Sequence, residues 1–239
     1  MINLIRYHIK IYSKSNKFIA PVLLWVIFLY ANYTVKPASV VPCLSSSAGM
    51  LYLIMIWMGF GYMELEDNIS SQLVILKVRS ATKYNISKIL FLILSAIGMS
   101  LLGIIVPLTQ HMINSYSLFT RNLIIEDLIY GFILLYVFAF LGVMLGSLFH
   151  PRIVSDRKVA LVIVFLIGLL GYIKGGIMED YPVSKFFLWL FPPVYDVLLK
   201  LTNKEYFSLS VIANATALTV GYGSILLTIQ LYMLKKNKF

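Results

Sequence analysis

The sequence has few charged residues and a single cysteine. Only 13% of its residues are charged whereas 60% are apolar. A water-soluble domain of this composition could not cover its surface with polar groups. The lone cysteine, Cys43, excludes an intrachain disulfide and a metal cluster built from cysteines. The composition therefore indicates an integral membrane protein.

The sequence also lacks the common catalytic motifs. Its three histidines, His8, His111 and His150, are far apart, so the His-Glu-x-x-His motif of zinc proteases is missing. The long apolar runs contain neither the aspartate pair of aspartyl intramembrane proteases nor the histidine that a rhomboid-type serine protease needs. A phosphate-binding Gly-x-x-x-x-Gly-Lys-Ser/Thr loop is missing as well. We expect no enzymatic activity, cofactor or metal in this chain.

The net charge of +10 would suggest nucleic-acid binding in a soluble protein. Here the bases cluster beside apolar runs, where they orient a membrane protein and attract anionic lipid headgroups. We therefore expect membrane lipid, and no nucleic acid, as a partner.

Residues 1–17 have the pattern of an amphipathic helix. Four bases recur at helical spacing beside an apolar stripe, although Tyr7 and Ile11 do not fit it. The bases are Arg6, Lys10, Lys14 and Lys17, and the stripe is Ile2, Ile5, Ile9 and Tyr12. We expect this helix to lie in the membrane interface, as a charged anchor for the first span.

Six apolar runs follow, and an all-α fold of one domain over 1–239 is expected because about twenty apolar residues make a membrane-spanning helix. The runs are 18–35, 44–63, 89–110, 128–149, 159–173 and 207–234. The fifth, at about 22 Å, barely crosses a core of about 30 Å. None contains an ionisable residue, which disfavours coupling to an ion gradient, although backbone carbonyl sites for Na⁺ stay open.

The distribution of bases predicts the orientation. Fourteen of the twenty Lys and Arg residues lie in the amino terminus, at 77–88, at 150–158 and in the carboxyl tail. Positive charge marks the cytoplasmic side. We expect both termini in the cytoplasm, in the plasma membrane of a bacterium.

The largest polar segment on that side, residues 61–90, is called the bridge below. It begins with Glu64, Glu66 and Asp67 and ends with Lys77, Arg79, Lys83 and Lys88. Between them lies a short amphipathic run that includes Leu73 and Leu76. The acids fit either a contact with a partner or a solvated helix start stabilised by the helix dipole.

Two further segments have distinctive patterns. Ala139, Gly142 and Gly146 form a small-residue face that allows close helix packing, inside one subunit or between two. The outer segment 174–206 mixes charges with aromatic residues and prolines, including Phe187, Trp189, Pro192 and Pro193. It fits short helices that enter the outer leaflet and return, or an interfacial aromatic belt.

The span layout and the bridge resemble the permease subunits of type-2 ABC exporters. In that family an acidic turn, a leucine-containing coupling helix and a lysine precede the third span, and the coupling helix docks on a separate ATPase. The resemblance implies a connecting helix at 1–17, a cytoplasmic coupling loop at 64–88 and a re-entrant outer gate at Phe187, Trp189, Pro192 and Pro193. It assigns ATPase docking to Glu64, Glu66, Asp67, Leu73, Leu76, Lys77 and Arg79.

The same resemblance implies the partners. Two permease subunits, identical or paralogous, would each bind one ABC ATPase subunit that holds ATP and Mg²⁺, and Ala139, Gly142 and Gly146 are a possible dimer interface. The expected cargo is hydrophobic or amphipathic, with a lean toward bacteriocin-like or cytolytic peptides. Drugs, lipid-linked glycans and Na⁺ are alternative cargoes. A scaffold or sensor without transport activity is the alternative function.

Overall fold

The computed structural model of the chain describes residues 1–66, 68–151, 153–154 and 156–236. The protein is 80% helical, and the described residues form no strands. The helices are α1 (Ile2–Lys14), α2 (Ile19–Asn32), α3 (Val40–Met63), α4 (Asn68–Val78), α5 (Ala81–Ile113), α6 (Ile125–Leu148), α7 (Arg157–Asp180), α8 (Lys185–Leu188), α9 (Val194–Leu201) and α10 (Leu209–Lys236). A single 3₁₀ turn, Pro182–Ser184, precedes α8. An all-α, membrane-embedded protein is thereby confirmed.

Five of the described helices are long and apolar enough to cross a membrane: α3, α5, α6, α7 and α10. Helix α2 has 14 residues, about 21 Å, and is too short to cross alone. It reaches the required length only together with α1, from which it is bent by 78°. The bend lies at Asn16, whose φ of 55° is left-handed. The described helices therefore give five candidate spans, or the predicted six if α1 and α2 together form one bent span. That α1 lies in the membrane interface stays a prediction.

The core is the packed pair of α3 and α6, with α5 and α10 also against α6. Glycines of α6 allow the close approach, because a Cβ at Gly142 or Gly146 would collide with the carbonyl oxygens of Tyr52 or Ile56. Ala139 is fully buried in the same helix. The small-residue face therefore packs inside this chain and has no exposed surface in this structure.

The fifth span is longer than predicted. Helix α7 has 24 residues, about 36 Å, and is long enough to cross a bilayer, whereas the apolar run 159–173 predicted a marginal span. It continues past Lys174 because that side chain is buried and pairs with Asp196 of α9. It also continues past Gly175, which lies against the Tyr195 ring. The predicted run 159–173 itself contains no ionisable residue, but the helix extends beyond it and includes the buried Lys174.

The third span also begins earlier than predicted. Helix α5 starts at Ala81, capped by the Ser80 hydroxyl, which accepts a hydrogen bond from the Lys83 amide. The last eight residues of the predicted coupling loop, 64–88, therefore belong to α5. Lys88 is the residue directly before the predicted start of the span at Ile89.

The outer segment contains short helices, as predicted, but its first seven residues belong to α7. Helix α9 buries Val194, Val197 and Leu201. Pro192 lies against Gly171 of α7. Phe187 and Trp189 instead expose 70% and 71% of their surfaces. The structure contains no membrane, so entry of these helices into the outer leaflet stays a prediction.

Contacts between helix ends define two ends of the bundle. The basic end contains α1, α4, the carboxyl end of α3 and the start of α7. Glu64, directly after α3, pairs there with Arg157 of α7. The opposite end contains the 33–38 and 114–124 segments, joined by the Ala38–Phe119 bridge. It also holds the ion pair of Arg121 with Asp127, at 2.6 Å.

Candidate functional site

The candidate site is α4, the middle of the bridge, with the residues that hold it at the basic end. Helix α4 follows the end of α3 and packs against α5. It ends at Val78, where Arg79 has a φ of 57°. This left-handed residue reverses the chain so that α5 can start at Ala81.

Three apolar side chains of α4 form a stripe that points away from the rest of the chain. Ile69, Leu73 and Leu76 are 70%, 63% and 73% exposed. Their spacing of four and then three residues places them on one helix face. Ser71, in contrast, is buried. The exposed stripe is called the α4 face below.

Charged residues flank the α4 face. Lys77 and Arg79 are both exposed close to the stripe, and their roles as charged contacts of a partner stay predictions. An apolar face with a basic rim is typical of a surface that binds a partner. Asp67, predicted to start this element, lies outside the described residues.

Glu64 and Glu66 are not presented beside the α4 face. Glu64 is 11% exposed and forms an ion pair with Arg157 Nε at 2.9 Å, which joins the end of α3 to the start of α7. Glu66 is 5% exposed and pairs with Lys88 Nζ at 2.8 Å. Both carboxylates therefore bind partners within the chain, and their direct contact with an ATPase stays a prediction.

Glu66 is the centre of a buried polar cluster that ties α1 to α5. Tyr7 of α1 donates to Glu66 Oε1 at 2.8 Å, and Tyr84 of α5 donates to Oε2. The Lys88 side chain, 3% exposed, lies 4.8 Å from the centre of the Tyr84 ring. We call Tyr7, His8, Glu66, Tyr84 and Lys88 the anchor cluster.

Electrostatics keep the Glu66 carboxylate charged. Burial alone raises the pKa of Glu66, but the Lys88 ammonium and hydrogen bonds from Lys88, Tyr84 and Tyr7 outweigh it, so that the pKa is lowered overall. A buried charge of this kind is stable only while its partners are present. The anchor cluster thus depends on the Glu66–Lys88 pair.

His8 completes the anchor cluster on the α1 side. It is fully buried, and its Nε2 lies 2.8 Å from the Ser87 hydroxyl of α5. Burial lowers the pKa of His8 to about 4; Glu66 raises it and Lys88 lowers it further. His8 is therefore neutral at neutral pH, and its Nδ1 has no hydrogen-bond partner within the described part of the chain.

Sequence reasoning missed most of this cluster. The sequence did not predict that α1 contacts the bridge and α5. Tyr7 lies 59 residues from its partner Glu66, and His8 lies 79 residues from its partner Ser87. The contact of Tyr84 with Glu66 was not predicted either. One signal was available, since Tyr7 does not fit the amphipathic pattern of 1–17. It leaves that pattern because it points to the bridge.

The described residues contain no group of three or more His, Cys, Asp or Glu side chains that could hold a metal ion. Comparison of the chain with protein-family models, curated protein sequences and solved structures gave no significant match. Evidence for the function of the chain therefore comes from its sequence pattern and from the geometry of the basic end.

Proposed function

We propose that the chain is the permease subunit of an ATP-driven ABC exporter and that the α4 face docks on a separate ATPase subunit. The observation that carries this proposal is the exposed stripe of Ile69, Leu73 and Leu76 on a short helix between two spanning helices. Each of these side chains would gain about 1.5 to 3 kcal/mol on full burial in a partner's groove.

The location of the α4 face supports the same proposal. It lies at the basic end, where positive charge favours the cytoplasm, and both termini are proposed to be cytoplasmic. A chain without a phosphate-binding loop must obtain ATP-derived force from a partner. A helix on the cytoplasmic side that exposes apolar residues is suited to receive that force.

The anchor cluster gives the proposal a structural route. Helix α4 connects directly to Glu66 on one side and to α5 on the other. Through Tyr7 and His8, Glu66 and α5 also hold α1. A push on α4 would therefore move α1, α3 and α5 together. We assign Glu64 and Glu66 to this support of the docking helix.

The proposed assembly contains two permease subunits, identical or paralogous, and two ATPase subunits. The proposed cargo is a hydrophobic or amphipathic molecule, with peptides favoured, because the exposed surfaces of the spans are apolar. The fully packed Gly142 and Gly146 leave the permease dimer interface to another surface.

Co-purification tests the docking proposal. The tagged chain is extracted from native membranes in a mild detergent, and proteins that copurify are identified by mass spectrometry. We expect a soluble ATP-binding cassette protein with the unmodified chain and its loss from the double variant Leu73→Glu, Leu76→Glu.

The matched control is Ile113→Glu, which alters a side chain that is 81% exposed at the opposite end of the bundle. This variant should keep the ATPase. Retention by the α4 double variant would show that the α4 face is not the docking surface. Recovery of no ATPase by the unmodified chain would contradict the exporter proposal and favour a scaffold or sensor.

A further inference from the structure

A groove at the basic end lies between the elbow of α1 and α2, the inner part of α3 and the start of α7. It has a volume of about 320 Å³ and is lined by Lys17, Pro21, Trp57, Arg157, Leu161 and Phe165, among others. We call it the elbow groove. It is not part of the α4 face.

The elbow groove changes from charged to apolar along the direction in which α7 enters the membrane. Arg157 is the first residue of α7, and Leu161 and Phe165 follow on the same face, about 6 Å and 12 Å deeper. Trp57 lies six residues before the end of α3, about 9 Å deep by the same measure. The groove therefore has a charged mouth and an aromatic and aliphatic wall.

The mouth carries a net positive charge. Arg157 uses Nε for the ion pair with Glu64 at 2.9 Å and stays 73% exposed. Its two terminal nitrogens have no partner among the described residues, and neither does the exposed Lys17 ammonium. Two cations against one carboxylate leave one positive charge, and a free guanidinium edge matches a phosphate.

The wall is open sideways toward the surroundings of the bundle. Trp57 and Leu161 are 39% and 41% exposed, and in a spanning helix these surfaces face lipid. Tryptophan at this depth is typical of the membrane interface. A molecule that fills the groove must therefore join a phosphate-like group at the mouth to an apolar chain along the wall.

We propose that the elbow groove binds one anionic phospholipid of the inner leaflet. Its phosphate lies between Lys17 and Arg157, and one acyl chain follows Trp57, Leu161 and Phe165. The lipid fills the space that the 78° bend between α1 and α2 opens. This proposal needs only a membrane-embedded chain whose basic end contacts headgroups, so it stands apart from the exporter proposal.

Quenching of Trp57 fluorescence tests the site. Trp25 is fully buried and Trp189 is 71% exposed, so a Trp189→Phe background leaves Trp57 as the exposed tryptophan. The protein is reconstituted into phosphatidylcholine vesicles that contain a minor fraction of phosphatidylglycerol, with bromine on the acyl chains of one lipid or the other. We expect brominated phosphatidylglycerol to quench Trp57 fluorescence more strongly than its mole fraction in the vesicles would give if lipids contacted Trp57 at random.

Charge variants show whether the mouth selects the lipid. In Lys17→Gln the preference for phosphatidylglycerol should fall about fivefold, the effect of one basic residue near a membrane surface, and adding Arg157→Gln should lower it further. Lys158→Gln removes an adjacent exposed base that does not line the groove and should keep the preference.

Two of the variants separate loss of the lipid site from loss of the fold. Lys17 forms no ion pair among the described residues, so Lys17→Gln leaves the Glu64–Arg157 contact intact, and Arg157→Lys keeps the charge at the mouth. Equal quenching by both lipids in the unmodified protein would overturn the proposal. An equal loss in Lys158→Gln and Lys17→Gln would overturn it too, by showing a diffuse surface charge in place of a site.

Discussion

Two stretches of the bridge lie side by side in sequence but differ in the fold. Glu64 and Glu66, at its start, are only 11% and 5% exposed and pair with bases of α7 and α5. Leu73 and Leu76, a few residues later, are 63% and 73% exposed. The charged side chains are inside and the apolar ones outside, the reverse of the usual preference.

The two stretches of the bridge therefore have different proposed roles, one in holding the helices together and the other in binding a partner. Carboxylates that are buried and paired hold helices together, whereas exposed leucines are available to a partner. Changes at the start of the bridge should therefore lower stability, and changes on the α4 face should leave stability unchanged and alter binding. Variants of both stretches test this difference through the unfolding free energy and the binding of the ATPase.

Lys88→Met should lower the unfolding free energy by about 3–5 kcal/mol, because it leaves the buried Glu66 carboxylate without its charge partner. The measurement is unfolding of the purified protein in detergent. The double variant Glu66→Gln, Lys88→Met removes both charges and should recover a large part of the loss. A double variant as unstable as the single one would contradict the importance of the ion pair.

Acidification should loosen α1. His8 has a pKa of about 4 in the folded protein against about 6.5 when unfolded. Below pH 6.5 the unfolded state binds a proton that the folded state does not, so stability falls as the pH drops from 6.5 to 4, by about 3 kcal/mol at most. The lowered pKa of Glu66 acts in the same direction below its unfolded pKa.

Hydrogen–deuterium exchange of the α1 amides measures this effect. Exchange relative to the intrinsic rate of an unprotected amide at the same pH should increase as the pH falls across that range in the unmodified protein. In His8→Gln, which keeps a nitrogen near Ser87 but cannot titrate, the increase between pH 6.5 and 4.5 should largely disappear. An unchanged increase in His8→Gln would show that another group causes it.

Glu64→Gln should cost at most about 1 kcal/mol, because its partner Arg157 is 73% exposed and exposed ion pairs contribute little. The same unfolding assay applies, and raised salt should reduce the difference further. A loss as large as that of Lys88→Met would mean that the two acids of the bridge have the same structural role.

Leu73→Ser and Leu76→Ser should change the unfolding free energy by less than about 0.5 kcal/mol, since these side chains are largely exposed and bury little apolar surface within the chain. Binding of the ATPase should fall in the same variants. If the serine variants unfold easily, the α4 face packs within the protein and the comparison made above fails.

Much of the helix layout could be predicted from sequence, because length and apolar content alone decide whether a segment crosses lipid. The six predicted runs overlap α2, α3, α5, α6, α7 and α10, and most ends differ by a few residues. The larger errors, at α5 and α7, arose at charged residues. Lys88 and Lys174 were taken as ends of apolar segments, although each is buried with a carboxylate from elsewhere in the chain.

The candidate site was predicted less completely. Leu73 and Leu76 were predicted on a short amphipathic run, and both are exposed on a helix, with Ile69 extending their stripe. The run is not amphipathic, because Val74, Ile75 and Val78 place apolar side chains on its other faces. The roles of the acids could not be found, because a pattern of charges does not reveal whether a carboxylate meets water or a buried lysine. Tyr7 and His8 belong to the cluster only because α1 folds back onto the bridge.

By itself, the sequence determined that this is a helical membrane protein with a basic end and a short helix-forming segment, flanked by acids and bases, between two spans, because these properties follow from composition and the local pattern of charges. Only the tertiary structure decided which charges are paired inside and which apolar residues stay outside. Burial depends on what packs against a side chain, and the packing partners come from segments distant in sequence.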